Sequence, residues 1–281
     1  MAANNIRIGY HVNKKSATTP VETHKTSLDA IKHAYEKHSI NTMQIWSHVS
    51  KSGKAMNLDF VGIKKYITDN NISLYTHGSY PTISIYKGSN IDKMTSELDS
   101  AQKLGAKGVV IHINKFTPET IIKTLKDNRK IWEKYKVPIL IENSAYTSKS
   151  KTEYSYNTVE KINDLYDKLS KEFPKSYVKG CLDTAHLSSA GVDPETWVNI
   201  KLDNIELIHL NGSEKVFGCG VDKHAIPFYI KKDNVPGETD TINKKHLIAF
   251  AKHCRNIPMV IEANRGDTSD LLKAIKKIKK L

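Results

Sequence analysis

Six short apolar runs in this chain stop at a histidine or a carboxylate, and that recurrence limits the fold more than any other feature. Ile72-Ser73-Leu74-Tyr75-Thr76 stops at His77, and Gly108-Val109-Val110-Ile111 stops at His112. Pro138-Ile139-Leu140-Ile141 leads to Glu142, and the stretch from Tyr177 to Leu182 leads to Asp183. Ile205-Glu206-Leu207-Ile208 ends at His209 and Pro258-Met259-Val260-Ile261 at Glu262. Runs this short and this apolar read as strands buried on both faces. A carboxylate at the end of such a strand costs several kcal/mol unless something positive meets it.

Between these runs the apolar residues change period. Ser27 to His38 places Leu28, Ile31 and Ala34 at helical spacing, and Leu58, Val61, Ile63 and Tyr66 predict a second helix. Further helices are predicted around Met94, Leu98 and Ala101, after Thr117-Pro118, over Val159 to Leu169, over Lys244 to His253 and over Ser269 to Lys280. Two more strands, Ile6 to Tyr10 ending at His11 and Thr42 to Trp46, bring the number to eight. Eight strands alternating with helices in 281 residues fit a (β/α)8 TIM barrel, an α/β fold, as one domain over residues 1–281. No GxGxxG follows any strand, which argues against a dinucleotide-binding sheet.

Active sites of such barrels lie at the carboxyl ends of the strands. The six strand-end groups His77, His112, Glu142, Asp183, His209 and Glu262 therefore converge, and loops are expected to add His186, Asp222 and His224. Taken alone, Asp183 to His186 reads as a capping aspartate followed by a surface histidine. Nine such groups together read as a metal cluster. Nitrogen and oxygen donors without nearby cysteine thiolates suit zinc or manganese with positions open to water and substrate. The net charge of +13 favours an anionic partner, with nucleic acid the first candidate. Three scattered cysteines fit a reducing compartment, and neither a secretory core nor an apolar run of ~18 residues is present. A soluble intracellular protein without membrane attachment is expected.

The segments Tyr75-Thr76-His77-Gly78-Ser79-Tyr80, Ile141-Glu142-Asn143, Leu182-Asp183-Thr184-Ala185-His186, His209-Leu210-Asn211 and Val221-Asp222-Lys223-His224 resemble endonuclease IV, a family of zinc-dependent apurinic/apyrimidinic (AP) endonucleases. Ile111-His112 and Ile261-Glu262 extend the resemblance across nearly the whole chain, and Asn264-Arg265 is similar to members from large DNA viruses. The resemblance implies three zinc ions, with manganese an alternative in some sites. Glu142 would bridge the first two, His77 and His112 would complete one site, and Asp183, His209 and Glu262 the next. His186, Asp222 and His224 would hold the third. Glu142, Asp183 and Glu262 are then the carboxylates on which catalysis turns. The implied reaction is hydrolysis 5′ to an abasic site in double-stranded DNA, leaving a 3′ hydroxyl, within base excision repair. Companion 3′-phosphodiesterase and 3′–5′ exonuclease activities, a monomer, and a cytoplasmic or nuclear location (host cell or virion for a viral chain) also follow from it.

The same resemblance places DNA contacts at Lys51, Ser79, Tyr80, Pro81 and Asn211, with Tyr80 and Pro81 where the family inserts residues into the duplex. The chain departs from the family at Gly212, where Asp is usual, and at Ala225-Ile226-Pro227-Phe228, which replaces a glycine-rich segment. A sugar isomerase or epimerase of the xylose isomerase-like barrels also explains metal ligands at strand ends. It leaves His186, Asp222, His224 and the surplus of positive charge without a role. A nucleic-acid-binding protein with a structural metal site and no turnover is the third alternative.

Overall fold

The computed structural model describes residues 6–12, 24–80, 91–147, 154–231, 239–263 and 268–281. Strand β1 (Ile8–His11) is followed by α1 (Ser27–His38), β2 (Thr42–Trp46), α2 (Phe60–Asp69), β3 (Ser73–His77) and α3 (Ile91–Leu104). Then come β4 (Val109–His112), α4 (Pro118–Asp127), α5 (Arg129–Lys134), β5 (Ile139–Glu142), α6 (Val159–Glu172), β6 (Val178–Asp183) and α7 (Thr184–Ala190). A 3-10 turn (Pro194–Asn199) precedes β7 (Ile205–His209), and the chain closes with β8 (Gly212–Ser213), β9 (His224–Ala225), α8 (Lys244–His253), β10 (Met259–Ile261) and α9 (Thr268–Ile278).

All eight expected strands pair in parallel and close in the order β1-β10-β7-β6-β5-β4-β3-β2. The register is what makes closure work. Trp46 lies opposite His77, His112 opposite Glu142 and Asp183 opposite His209, so those joints are level. His11 lies opposite Gln44, His77 opposite Val110, Glu142 opposite Cys181 and His209 opposite Val260. Each of these four joints steps the next strand up by two residues. Together they supply the stagger of eight residues that an eight-stranded barrel of this tilt requires.

The pleat then decides which side chains enter the barrel. Side chains two apart on a strand share a face. Tyr75, Val110, Leu140, Cys181, Leu207 and Val260 form a buried cluster of their own inside the barrel, separate from the larger core between strands and helices. Each stands two residues before one of the six strand-end groups. The apolar layer is thus a floor, and the polar residues are the next layer above it.

The helices start where local chemistry says they should. Thr26 and Asp29 form a capping box ahead of α1, and Thr117 caps α4 with Pro118 in its first turn. Ile63 and Ile67 are the buried stripe of α2, whereas Val61 is 80% exposed. Helices α5 and α7, the 3-10 turn and the small β8–β9 hairpin are elements that hydrophobic period did not predict, all too short to show one.

Gly9 allows β1 to lie directly against β2. A Cβ there would come within 1.8 Å of the Thr42 backbone carbonyl oxygen, which cannot swing aside as a flexible side chain could. Gly9→Ala should therefore lower stability by about 1–3 kcal/mol, the usual cost of overpacking. The urea midpoint measures it, and an unchanged midpoint would mean the two strands can separate without cost.

Candidate metal centre

The layer above the floor holds His11, Trp46, His77, His112, Glu142, Asp183, His209 and Glu262, one from the end of each barrel strand. At its middle is the fully buried Glu142. Its Oε2 lies 2.9 Å from His112 Nε2 and 3.6 Å from His77 Nε2, while its Oε1 lies 2.8 Å from His209 Nδ1. One carboxylate therefore faces two separate groups of imidazoles. His209 Nδ1 also lies 2.9 Å from Glu262 and 3.8 Å from Asp183.

A further set sits to one side. Asp183 caps α7, its Oδ1 accepting from the backbone N–H groups of Ala185 and His186, so the short helix that it starts carries His186 back to the cluster. His186 is thus on a helix, not on the loop expected for it. His224 occupies β9, where the β8–β9 hairpin holds its Nε2 3.5 Å from Asp183 and 2.7 Å from Asp222. Asp222 lies 3.3 Å from His186 and its side chain is 40% exposed. Potential ligand atoms fall within 4.8 Å of one another in the sets His77–His112–Glu142, Glu142–Asp183–His209–Glu262 and Asp183–His186–His224, and in His112–His186–Asp222. All nine predicted ligand residues stand in one connected cluster.

Three histidines have a nitrogen already engaged on the far side. His77 Nδ1 is 2.8 Å from the Gly78 carbonyl, His186 Nδ1 is 2.7 Å from the Asn143 carbonyl, and His209 Nε2 is 2.9 Å from the Gln44 side-chain oxygen. Each such nitrogen must be the donor. The other nitrogen of each ring is left with a lone pair facing the centre, as metal-binding imidazoles require. His77 Nε2 and His112 Nε2 face each other across 3.1 Å beside a carboxylate. Among the described residues, Glu142 Oε2, His186 Nε2 and His224 Nε2 are buried with close ionisable neighbours but no aligned hydrogen bond. Facing lone pairs and orphaned buried donors and acceptors call for a cation, so the residues present fit divalent metal.

Burial alone would neutralise these groups. It would lower the histidines and raise the carboxyls, yet their mutual contacts reverse both. His186 and His209 are held well above their ordinary value by the surrounding carboxylates, and His77 is raised by Glu142 and Glu262. Glu142 and Glu262 are held well below theirs by the neighbouring imidazoles. Without a cation, protons do its work of compensating the charge.

Four groups at this centre were missed or misjudged in the sequence. His11, noted only as a strand-end residue, lines the cleft with Trp46, Tyr80, Asp222 and Lys223. Gln44 touches His209, Glu262 and His11. Cys181 is a cysteine beside the cluster that spacing did not reveal: its sulfur is within 4.8 Å of ligand atoms of Glu142 and His209. Burial pushes that thiol up to about 12, so it is a thiol and not a thiolate. Asn143 aligns Asp183 by accepting its backbone N–H at 2.7 Å.

A family model described as xylose isomerase-like TIM barrel matches residues 21–280. The chain belongs to that family. A probable AP endonuclease of African swine fever virus (Warthog/Namibia isolate) is 29% identical over 240 residues, which are 77% of this chain and 76% of the viral protein. The crystal structure of AsfvAP:AG superposes with a TM-score of 0.75 at 22% identity, over 98% of this chain and 97% of that one. That of endonuclease IV from Thermus thermophilus gives 0.73 at 18% identity, over 98% and 99%.

Within this family barrel, the residues expected to meet DNA separate into two groups. Tyr80 is half exposed at the cleft, its ring 6.1 Å from that of Trp46, which in turn lies 4.5 Å from His77. Lys51 is exposed in the β2–α2 loop, and Tyr80 donates its backbone N–H to the Ser50 carbonyl of that loop at 2.8 Å. Ser79 and Asn211 are fully buried. Ser79 gives its hydroxyl and its backbone N–H to the buried Glu97, at 2.6 and 2.9 Å. Asn211 donates to Asp183 at 2.7 Å and accepts from the Glu262 backbone at 2.7 Å. Both are engaged by buried carboxylates and neither is exposed. Pro81, Asn264 and Arg265 lie outside the described residues.

His224 makes the electrostatics measurable. Burial would lower it, but Asp222 and Asp183 raise it from 6.5 to about 10. Because the folded state holds this proton more tightly than the unfolded chain, the resulting stability is complete below pH 6.5 and lost as pH rises through about 10. The denaturation midpoint of chelator-treated protein should accordingly fall between those two pH values. A flat profile would mean that the proton on His224 contributes nothing to folding.

Proposed function

We propose that this protein is an AP endonuclease of the endonuclease IV type, which hydrolyses the phosphodiester 5′ to an abasic site in duplex DNA and leaves a 3′ hydroxyl. The observation that carries the reading is a further group of donors, Asp222 lying 3.3 Å from His186 and 2.7 Å from His224, alongside the two sets that share Glu142. A sugar isomerase barrel needs one or two ions and has no use for that group. Three zinc ions suit the nine residues, with manganese an alternative. The relatives named as AP endonucleases and the net charge of +13 support the same substrate class.

Bound at these residues, divalent ions supply positive charge to a phosphate and lower the pKa of water. The protein's own part is positional. Glu142 is buried where one oxygen faces His77 and His112 and the other faces His209, so it joins two ligand sets. The prior engagement of His77, His186 and His209 removes rotational freedom before substrate arrives. No side-chain nucleophile is required. Lys223 at the cleft rim and exposed Lys51 meet the anionic backbone. Tyr80 fills the space that a missing base leaves in the stack, and an abasic sugar, having no base to unstack, leaves the helix at lower cost than an intact nucleotide.

A duplex carrying one tetrahydrofuran abasic analogue tests the activity, since that analogue cannot undergo β-elimination and a cut strand means hydrolysis. Cutting 5′ to the analogue, with about three divalent ions per chain by elemental analysis, is the expected result. Intact strands, or a single ion with turnover of an aldose, would replace the reading by the isomerase one.

Wedge and catalyst should separate by mutation. Tyr80→Ala should weaken binding of the abasic duplex by about 1–3 kcal/mol, the range for lost base–aromatic stacking, with metal content unchanged. Glu142→Ala should abolish cutting, because it removes a ligand shared by two sets. Tyr80→Ala protein that binds and cuts as wild type does would reduce Tyr80 to a loop residue.

A further inference from the structure

The Gln44 amide settles where one proton in this site resides. Its Oε1 lies 2.9 Å from His209 Nε2, and its Nε2 donates to Glu262 and lies 3.1 Å from His11 Nδ1. Turning the amide over would set its oxygen against the Glu262 carboxylate, which can only accept. The NH2 group therefore faces Glu262 and His11, one hydrogen for each. His11 Nδ1 must accept, so a neutral His11 carries its proton on Nε2. That nitrogen is buried and has no hydrogen-bond partner among the described residues, while the ring lines the cleft, tilted against Trp46 at 5.4 Å. A buried N–H left unpaired is costly, and since none of the described residues satisfies it, it is open to an acceptor that a ligand brings into the cleft.

We propose that His11 is a substrate-facing hydrogen-bond donor, fixed as the Nε2–H tautomer by Gln44, and that it binds a non-bridging phosphate oxygen of the strand lying in the cleft. The inference rests on the endonuclease reading for the identity of the acceptor. It does not make His11 a metal ligand: Gln44 occupies its one lone pair. The same amide touches His209 and Glu262, so the donor is held in fixed relation to the second ligand set. With divalent ions bound at that set, a phosphate seated between it and His11 would meet positive charge on one side and a neutral donor on the other. Trp46 restrains the ring from the side, packing between it and His77.

Two measurements test it. The 15N shifts of His11 in uniformly labelled protein should report a bare Nδ1 and a protonated Nε2 in wild type, and a mixture in Gln44→Leu. Binding and cutting of the tetrahydrofuran duplex should then be compared in wild type, His11→Phe and His11→Gln, each checked for metal content, with binding measured also on chelator-treated protein. His11→Phe should lose about tenfold to a hundredfold in affinity or kcat/KM, the range for a hydrogen bond to a charged acceptor, while His11→Gln, which keeps a donor near Nε2, recovers much of it. A duplex with a single neutral methylphosphonate, scanned along the phosphates flanking the abasic site, should show one position that costs wild type and His11→Gln but costs His11→Phe nothing further. Should wild type cut while His11→Phe binds and cuts equally well, or should every methylphosphonate affect the two alike, the contact is overturned and the endonuclease reading stands. Should wild type neither bind nor cut, the endonuclease reading falls and the phosphate contact falls with it.

Discussion

Everything at this site depends on a two-residue step. Because a strand turns alternate side chains to the same face, each of the six apolar residues of the barrel floor commits the residue two further along to the mouth. The polar ring therefore rests on a surface with nothing to offer it. Of Glu142, His209 and Asp183, only Asp183 is described with a helix end against it, the start of α7 that it caps. Their charges have to be answered sideways, by one another or by cations from above. That is why carboxylates and imidazoles are mixed around the ring and why Glu142 and Glu262 are held well below ordinary glutamates.

The elements beyond the barrel make sense as answers to the same demand. A ring drawn only from strand ends would leave Asp183 with too few positive neighbours. Capping α7 uses one of its oxygens and returns His186 as a neighbour, and the β8–β9 hairpin returns His224. Asn211 then donates to Asp183, and Asn143 and Asn211 accept the backbone N–H groups of Asp183 and Glu262. Side chains so fully engaged move little, which suits chemistry requiring fixed distances more than chemistry requiring closure of a large lid.

How much of this was legible in the sequence follows from what period can encode. Strand ends are readable, because an apolar run has a last residue and the pleat says which way it points; His77, His112, Glu142, Asp183, His209 and Glu262 were all found in that way. Partners are not readable, because they arrive from other strands. Gln44 looks like an interruption of the run from Thr42 to Trp46 until β2 is seen beside β1 and across from β7. A lone amide in a buried strand was the available signal. The resemblance places Ser79 and Asn211 among the DNA contacts, but loop position says nothing about burial, and the buried Glu97 of α3 is what draws Ser79 down. Cys181 was passed over for its spacing from other cysteines, although its place two residues before Asp183 already put it under the cluster.

Gly212, which stands where the related family usually has an aspartate, shows what a column-by-column comparison would misjudge. A Cβ at position 212 would come within 2.5 Å of the carboxyl carbon of Asp240. Asp240 is itself held by the backbone N–H groups of Ser213, Phe228 and Ile242, and burial pushes its carboxyl up to about 6 in spite of them. An acid has not been lost from this corner of the molecule; it enters from a segment 28 residues downstream of Gly212. A side chain at 212 therefore requires the Asp240 carboxylate to leave the three backbone N–H groups that hold it, or to be given up. Substitutions there should be inherited in pairs, and a lineage that swaps one arrangement for the other must pass through an intermediate with either a clash or an empty corner.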